Sequence, residues 1–224
     1  MVLSEFEKES GELSEIAQNY LDALLNLDRY KASKIIHSSL DEGVPIKDIY
    51  IKVFESSQHE VGRLWQKNII NVAQEHYCSA STQQIMSELY PVIFKSPKKG
   101  YKLLATCVAG EMHEIGLRMV ADIFELEGWD SYYLGANTPL DSILDTISTL
   151  EPDVVAISAS IHFNIPAVKE LVDKINSLPL RSRLKIMVGG RPFSISPELW
   201  KKVGADATAS NALEAIKVAS ELIS

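Results

Sequence analysis

The chain has 224 residues, 46% of them hydrophobic, enough to bury a sizeable core in one large or two small domains. Its formal net charge of −8 at pH 7 argues against the basic face that a nucleic-acid binder needs, and against an anionic membrane surface. No apolar run approaches the roughly 18 residues of a membrane span. The acidic start MVLSEFEKESGELSE also lacks a signal peptide's basic and apolar stretches, so a cytoplasmic protein is expected.

The first half is helical in period. Leu13, Ile16, Ala17, Tyr20, Leu21 and Leu24 fall on one stripe of a helix over about 12–26. A second helix is expected over 28–40, with Tyr30, Ala32, Ile35 and Ile36 inward; Gly43 ends it and Pro45 suits the first turn of the next. A third runs from about Ile46 to Leu64 on Ile49, Tyr50, Val53, Phe54 and Val61, and a fourth from about Asn71 to Ile93. Short connections between them suggest an antiparallel four-helix bundle over 1–94. The charged Lys95–Gly100 stretch, broken by Pro97, reads as a linker.

From residue 101 the pattern changes. Short apolar runs at 102–108, 130–134, 154–158, 185–188 and 205–209 alternate with helical patterns at 115–127, 140–150, 165–178, 196–203 and 212–222. Five strands, each followed by a helix, imply a parallel sheet covered on both faces. Right-handed crossovers make it a flavodoxin-like (Rossmann-like) α/β domain over 101–224. Ligands in such sheets bind beyond the carboxyl ends of the strands, so the loops there carry the chemistry. Cys78 and Cys107 sit in no metal-finger spacing and are expected as free thiols.

The loop after the first strand contains Glu111, His113 and Gly116. A histidine there projects into a cleft, and Glu111 can accept its second ring N–H, fixing the tautomer and making the other nitrogen a better metal ligand. Gly116 would let a large ligand approach the backbone. The plain alternative, a surface histidine beside two acids, stands equally on this loop alone. Ser158 and Ser160 after the third strand, and Gly189-Gly190 after the fourth, are small residues at neighbouring strand ends, which suggests a slot for a long cofactor tail.

The pattern Glu111-x-His113-x-x-Gly116, then Ser158-x-Ser160, then Gly189-Gly190 resembles the cobalamin-binding signature of the methionine synthase and methylmalonyl mutase superfamily. That signature reads Asp-x-His-x-x-Gly, Ser-x-Leu, Gly-Gly. Here 41 residues separate Gly116 from Ser158 and 28 separate Ser160 from Gly189, as the family's spacing requires. Glu111 stands for the usual Asp and keeps the carboxylate; Ser160 stands for Leu and changes packing around the nucleotide tail. The resemblance implies His113 as lower cobalt ligand, with the displaced dimethylbenzimidazole held by Ser158, Ser160, Gly189 and Gly190.

In the first half, Trp65 followed after nine residues by Glu75-His76 resembles the motif of CarH-type adenosylcobalamin photoreceptors. That resemblance implies a bundle capping the upper face of the corrin, with Trp65 and Glu75 lining the adenosyl pocket and His76 taking the upper cobalt position after light. Adjacent helix residues point about a third of a turn apart, so Glu75 and His76 serve different states. The implied cofactor is adenosylcobalamin, or else methylcobalamin or hydroxocobalamin. The expected function is a stand-alone light-sensing signalling module without a catalytic residue of its own, acting through a protein partner or a change of homo-oligomer. The alternative is a corrinoid methyl carrier for separate methyltransferases, whose upper face must admit a partner. A haem sensor on the same fold is a lesser alternative, disfavoured because haem has no nucleotide tail to occupy the serine and glycine positions.

Overall fold

The structure, a computed structural model, describes residues 12–224; the acidic leader and the start of the expected first domain lie outside them. The described chain divides into two units, the first ending at Pro91 and the second beginning at Val92.

In the first unit, α1 (Glu12–Leu25) buries Ala17, Tyr20, Leu21 and Leu24, as its stripe requires. It packs against each of the three helices that follow. The turn out of α1 is tight, with Leu27 at φ 58°. Tyr77 spans it: the hydroxyl donates to the Leu27 carbonyl at 2.6 Å and accepts from the Arg29 N–H at 3.1 Å. Both groups are ones a helix end leaves without a helical partner. Asp28 caps α2 (Arg29–Asp41) through the Lys31 N–H. The buried face of α2 is Ala32, Ile36 and Ser39, so Tyr30, expected inward, is 76% exposed. It lies about one and two-thirds turns before Ile36, off that face, with the Arg29 guanidinium over its ring at 5.1 Å.

The third helix, α3, joins Ile46–Asp48, a π-helical Ile49–Glu55 and Ser56–Gln66 into one run. The π turn was not expected, because no residue type announces one. It occurs where Ile49, Tyr50, Val53 and Phe54 are all buried and Tyr50 meets Phe54 edge-on at 5.3 Å. The fourth helix, α4 (Val72–Glu88), opens on a reciprocal cap between Asn71 and Gln74. It stops five residues short of the expected end, and a separate turn, α5 (Tyr90–Ile93), follows. Pro91 explains the break: it has no N–H to donate to a carbonyl of the preceding turn, and it sits in the first turn of α5, where that loss is tolerated.

The second unit is a five-stranded parallel sheet of order β2-β1-β3-β4-β5. The strands are β1 (Lys102–Cys107), β2 (Asp130–Gly135), β3 (Val154–Ser158), β4 (Lys185–Gly189) and β5 (Ala207–Ala209). Alternate residues feed two cores. Leu103, Ala105 and Cys107 face α6 (Ile115–Leu126) and α11 (Ala212–Leu222), together with Phe124 and Trp129. Leu104, Val155 and Ile157 pack with α7 (Leu140–Leu150) and α8 (Ile165–Asn176) through Ile143, Ile147, Val168 and Leu171. A short helix, α9 (Arg191–Ile195), was not expected, and the expected 196–203 helix shrinks to α10 (Leu199–Val203), ended by Gly204 at φ +84°. Cys78 and Cys107 are both buried free thiols. No helix of the described residues is long and apolar enough to cross a membrane.

The stretch that reads as a linker is fastened to this unit. Ser96 donates to the Leu126 carbonyl at 2.6 Å, the Lys99 N–H donates to Gly128 O at 2.7 Å, and Lys98 pairs with Glu125 and donates to Trp129 O at 2.9 Å. Trp129 itself is 1% exposed, edge-on to Phe124 at 5.0 Å and tilted against Tyr101 at 5.2 Å. Trp129→Ala should lower the stability of the sheet unit by about 3–5 kcal/mol, read as a drop in its urea midpoint; the helical unit's own far-ultraviolet transition should keep its position.

Candidate corrinoid site

The sheet order reverses direction between β1 and β3, and that switch point opens a crevice beyond the strand ends. The loop carrying His113 follows β1, and the loop carrying Ser160 follows β3. Cys107, Ser158, Gly189 and Ala209 stand in one register row across the carboxyl edge. All four are small, so the row places little bulk at this end of the sheet.

Glu111 organises the crevice. Its side chain is fully buried, while that of His113 is 61% exposed. Oε1 accepts from the His113 backbone N–H at 2.9 Å and from its ring Nδ1 at 2.6 Å. Oε2 accepts from the Ser160 N–H at 2.7 Å and from Asn164 Nδ2 at 2.9 Å. Burial works to raise the Glu111 pKa, but these bonds to the charged form outweigh it and hold the carboxyl at about 2. The carboxylate therefore stays ionised at neutral pH and fixes the proton of His113 on Nδ1. Nε2 is then the nitrogen with a lone pair to offer a metal. A borderline transition metal such as cobalt suits an imidazole so backed.

A second clamp joins the loops after β1 and β2. Glu114 Oε2 accepts from the Tyr133 hydroxyl at 3.0 Å and from the Ala136 N–H at 2.9 Å. Asn137, at φ 50°, accepts the Gly110 N–H at 2.8 Å. The glycines divide by role. A side chain on Gly116 would meet nothing within 4 Å, whereas one on Gly190, at φ +102°, would strike the Ala159 carbonyl. Gly116 thus leaves open space at the crevice mouth, and Gly190 lets the loops after β3 and β4 close on each other.

Sequence reasoning placed Glu111, His113, Ser158, Ser160, Gly189 and Gly190 at neighbouring strand ends; the structure has Ser158 and Gly189 as the last residues of β3 and β4 and the other four in the segments that follow the strands. It missed Asn164, whose 3% exposure and bond to Glu111 make it part of the same cluster. Its position before the Pro166-containing helix was the available signal. His162, two residues after Ser160, is exposed in the 3₁₀ turn His162–Asn164.

In the helical unit, Trp65 is 44% exposed in the last turn of α3. Glu75 and His76 lie at the start of α4, and His76 Nδ1 meets Glu75 Oε2 at 2.6 Å. The second Glu75 oxygen accepts from the Ser79 hydroxyl at 2.8 Å. Both candidate ligand histidines are therefore held by Nδ1 on a glutamate.

A doubly wound sheet with a carboxylate-backed imidazole at its switch point defines a protein that presents nitrogen to a metal-bearing cofactor. Family models described as B12 binding domains match residues 101–217 and 16–90, and the chain belongs to that family; its cofactor is a corrinoid. It is 30% identical to monomethylamine corrinoid protein 2 of Methanosarcina barkeri over 94% of this chain and 98% of that one. It is 25% identical to dimethylamine corrinoid protein 3 of Methanosarcina acetivorans over 95% and 97%. The solved M. barkeri monomethylamine corrinoid protein superposes with a TM-score of 0.80 at 30% identity, over 93% of this chain and 98% of that one. These relatives are corrinoid proteins named for methylated amines, not photoreceptors, and the family match leaves the haem reading without support.

The residues fit the group: an oriented imidazole, an open glycine beside it and a row of small residues across the sheet edge. Gly116→Ala should leave the apoprotein as stable or up to about 1 kcal/mol more so, since alanine favours a helix over glycine. It should also weaken corrinoid binding by roughly 1–3 kcal/mol through overpacking. Denaturation and spectral titration check the two arms. Glu111→Gln should cost the apoprotein about 1–3 kcal/mol, because an amide keeps one acceptor oxygen and turns donors toward donors. Urea denaturation without cofactor measures it.

Proposed function

We propose that this protein is a corrinoid methyl carrier that serves a separate methyltransferase, with a methylated amine as the class of methyl donor. The observation that supports it most is the near full-length likeness to corrinoid proteins named for monomethylamine and dimethylamine. When bound, the corrinoid supplies a cobalt centre that accepts a methyl group and yields it again. In this reading the chain's residues bind and orient. His113 would hold the cobalt through Nε2, Glu111 would keep its proton on Nδ1, and Ser158, Ser160 and Gly189 would flank the nucleotide tail. No residue of the chain is asked to make or break the methyl bond, so the protein is a carrier and not an enzyme on its own.

A second reading, the light-responsive module, keeps one specific support: His76, paired with Glu75 as His113 is with Glu111. In it, His76 would offer its Nε2 to the cobalt. The readings part on cofactor preference and on light. The carrier should bind methylcobalamin more tightly than adenosylcobalamin, and green light on the adenosylcobalamin complex should yield no histidine-ligated product. A preference for adenosylcobalamin, with a light-driven spectral change that His76→Ala abolishes, would reverse the order of the two. His113→Ala should change the spectrum of the dark complex in either case, because the histidine nitrogen is lost.

A further inference from the structure

The Glu75–His76 pair is the outer end of a polar chain that starts in the core of the helical unit. The Tyr20 hydroxyl and Thr82 Oγ1 are 2.8 Å apart, and both residues are fully buried. Thr82 Oγ1 is 2.8 Å from the Gln58 amide, whose other end is 3.1 Å from Ser79 Oγ. Ser79 Oγ is 2.8 Å from Glu75 Oε1, and Glu75 Oε2 is 2.6 Å from His76 Nδ1. Three helices contribute: Tyr20 from α1, Gln58 from α3, and Ser79, Thr82, Glu75 and His76 from α4.

Counting protons gives the chain a direction. With the Gln58 oxygen toward Ser79, the single serine proton faces two acceptors, Gln58 and Glu75, and one contact must be oxygen against oxygen without a proton. Turning the amide by half a rotation changes no position, since its nitrogen and oxygen occupy equivalent places. Each proton then has one acceptor. Tyr20 donates to Thr82, Thr82 to the Gln58 oxygen, the Gln58 nitrogen to Ser79, and Ser79 to Glu75. Burial pushes the Tyr20 phenol well up, so it remains a donor throughout the ordinary pH range. Donors aligned head to tail polarise one another, and the chain ends on the one carboxylate that can use the effect.

We propose that Tyr20, Thr82, Gln58 and Ser79 are positioning residues: a one-way hydrogen-bond chain that fixes the Glu75 carboxylate and, through it, keeps the His76 proton on Nδ1 and the Nε2 lone pair available to a metal. Only the use of that lone pair rests on the second reading above; the chain and its effect on the ring belong to the apoprotein.

The test is the nitrogen-15 chemical shifts of the His76 ring in the full-length apoprotein, at a pH where the imidazole is neutral. The wild type should show Nδ1 protonated and Nε2 bare. Glu75→Gln should lose this tautomer. Ser79→Ala, at a partly exposed position, should shift the ring toward Nε2–H. Gln58→Glu should do the same, because its carboxylate still accepts from Thr82 but draws the Ser79 proton away from Glu75. Thr82→Val should move the shifts and Thr82→Ser restore them, with thermal melts confirming folding. Unchanged ring shifts in folded Gln58→Glu and Ser79→Ala would overturn the proposal, as would equal shifts in Thr82→Ser and Thr82→Val. Because no cofactor is present, this result is independent of whether the protein carries methyl groups or senses light.

Discussion

One buried carboxylate holds the crevice of the sheet unit together. Glu111 accepts from two groups of His113 and from two groups of the loop after β3. A buried, ionised carboxylate is costly unless all its acceptor sites are answered, and here four donors answer them. The same bonds that remove this cost tie two loops to each other across the switch point. They also leave His113 in one tautomer, facing outward. Fold, electrostatics and metal affinity thus converge on a single side chain that a ligand would never need to touch.

The two carboxylate–imidazole pairs reach one local geometry by different means. Glu111 and His113 are two residues apart, but their partners Ser160 and Asn164 are about fifty residues away, so the pair depends on the sheet being formed. Glu75 and His76 are neighbours on one helix, and long-range help arrives only through Ser79 and Gln58. The first imidazole is fixed by the fold directly. The second is fixed by a relay, and a relay can be weakened one member at a time.

Much of this was legible in the sequence because parallel strands place their loops in known order. The strands fell within a residue or two of their expected positions, apart from the shorter β5, and Glu111, His113, Ser158 and Gly189 could be put at neighbouring strand ends from spacing alone. What spacing could not show was packing-dependent. The π turn in α3 and the outward Tyr30 follow from which face three-dimensional contacts select. Asn164 stood at a helix start, but its partner is a buried oxygen 53 residues away, which spacing does not reveal. The break before α5 was legible in Pro91. The finer resemblance to photoreceptors rested on Trp65, Glu75 and His76, three residues of one region, while relatives over the whole chain point to amine-linked corrinoid proteins.

The segment Ser96–Gly100 is charged and broken by proline, yet its hydrogen bonds end on Leu126, Gly128 and Trp129. Pro97 sits so close to Gly128 that a side chain there would collide with its carbonyl. A protease offered Lys99 meets a backbone N–H already bonded to Gly128, following side chains of Ser96 and Lys98 tied to the same unit, which slows cleavage. An independently expressed sheet domain would accordingly have to begin at or before Ser96. Cut at Tyr101, it would leave the Leu126, Gly128 and Trp129 carbonyls without the donors this segment supplies.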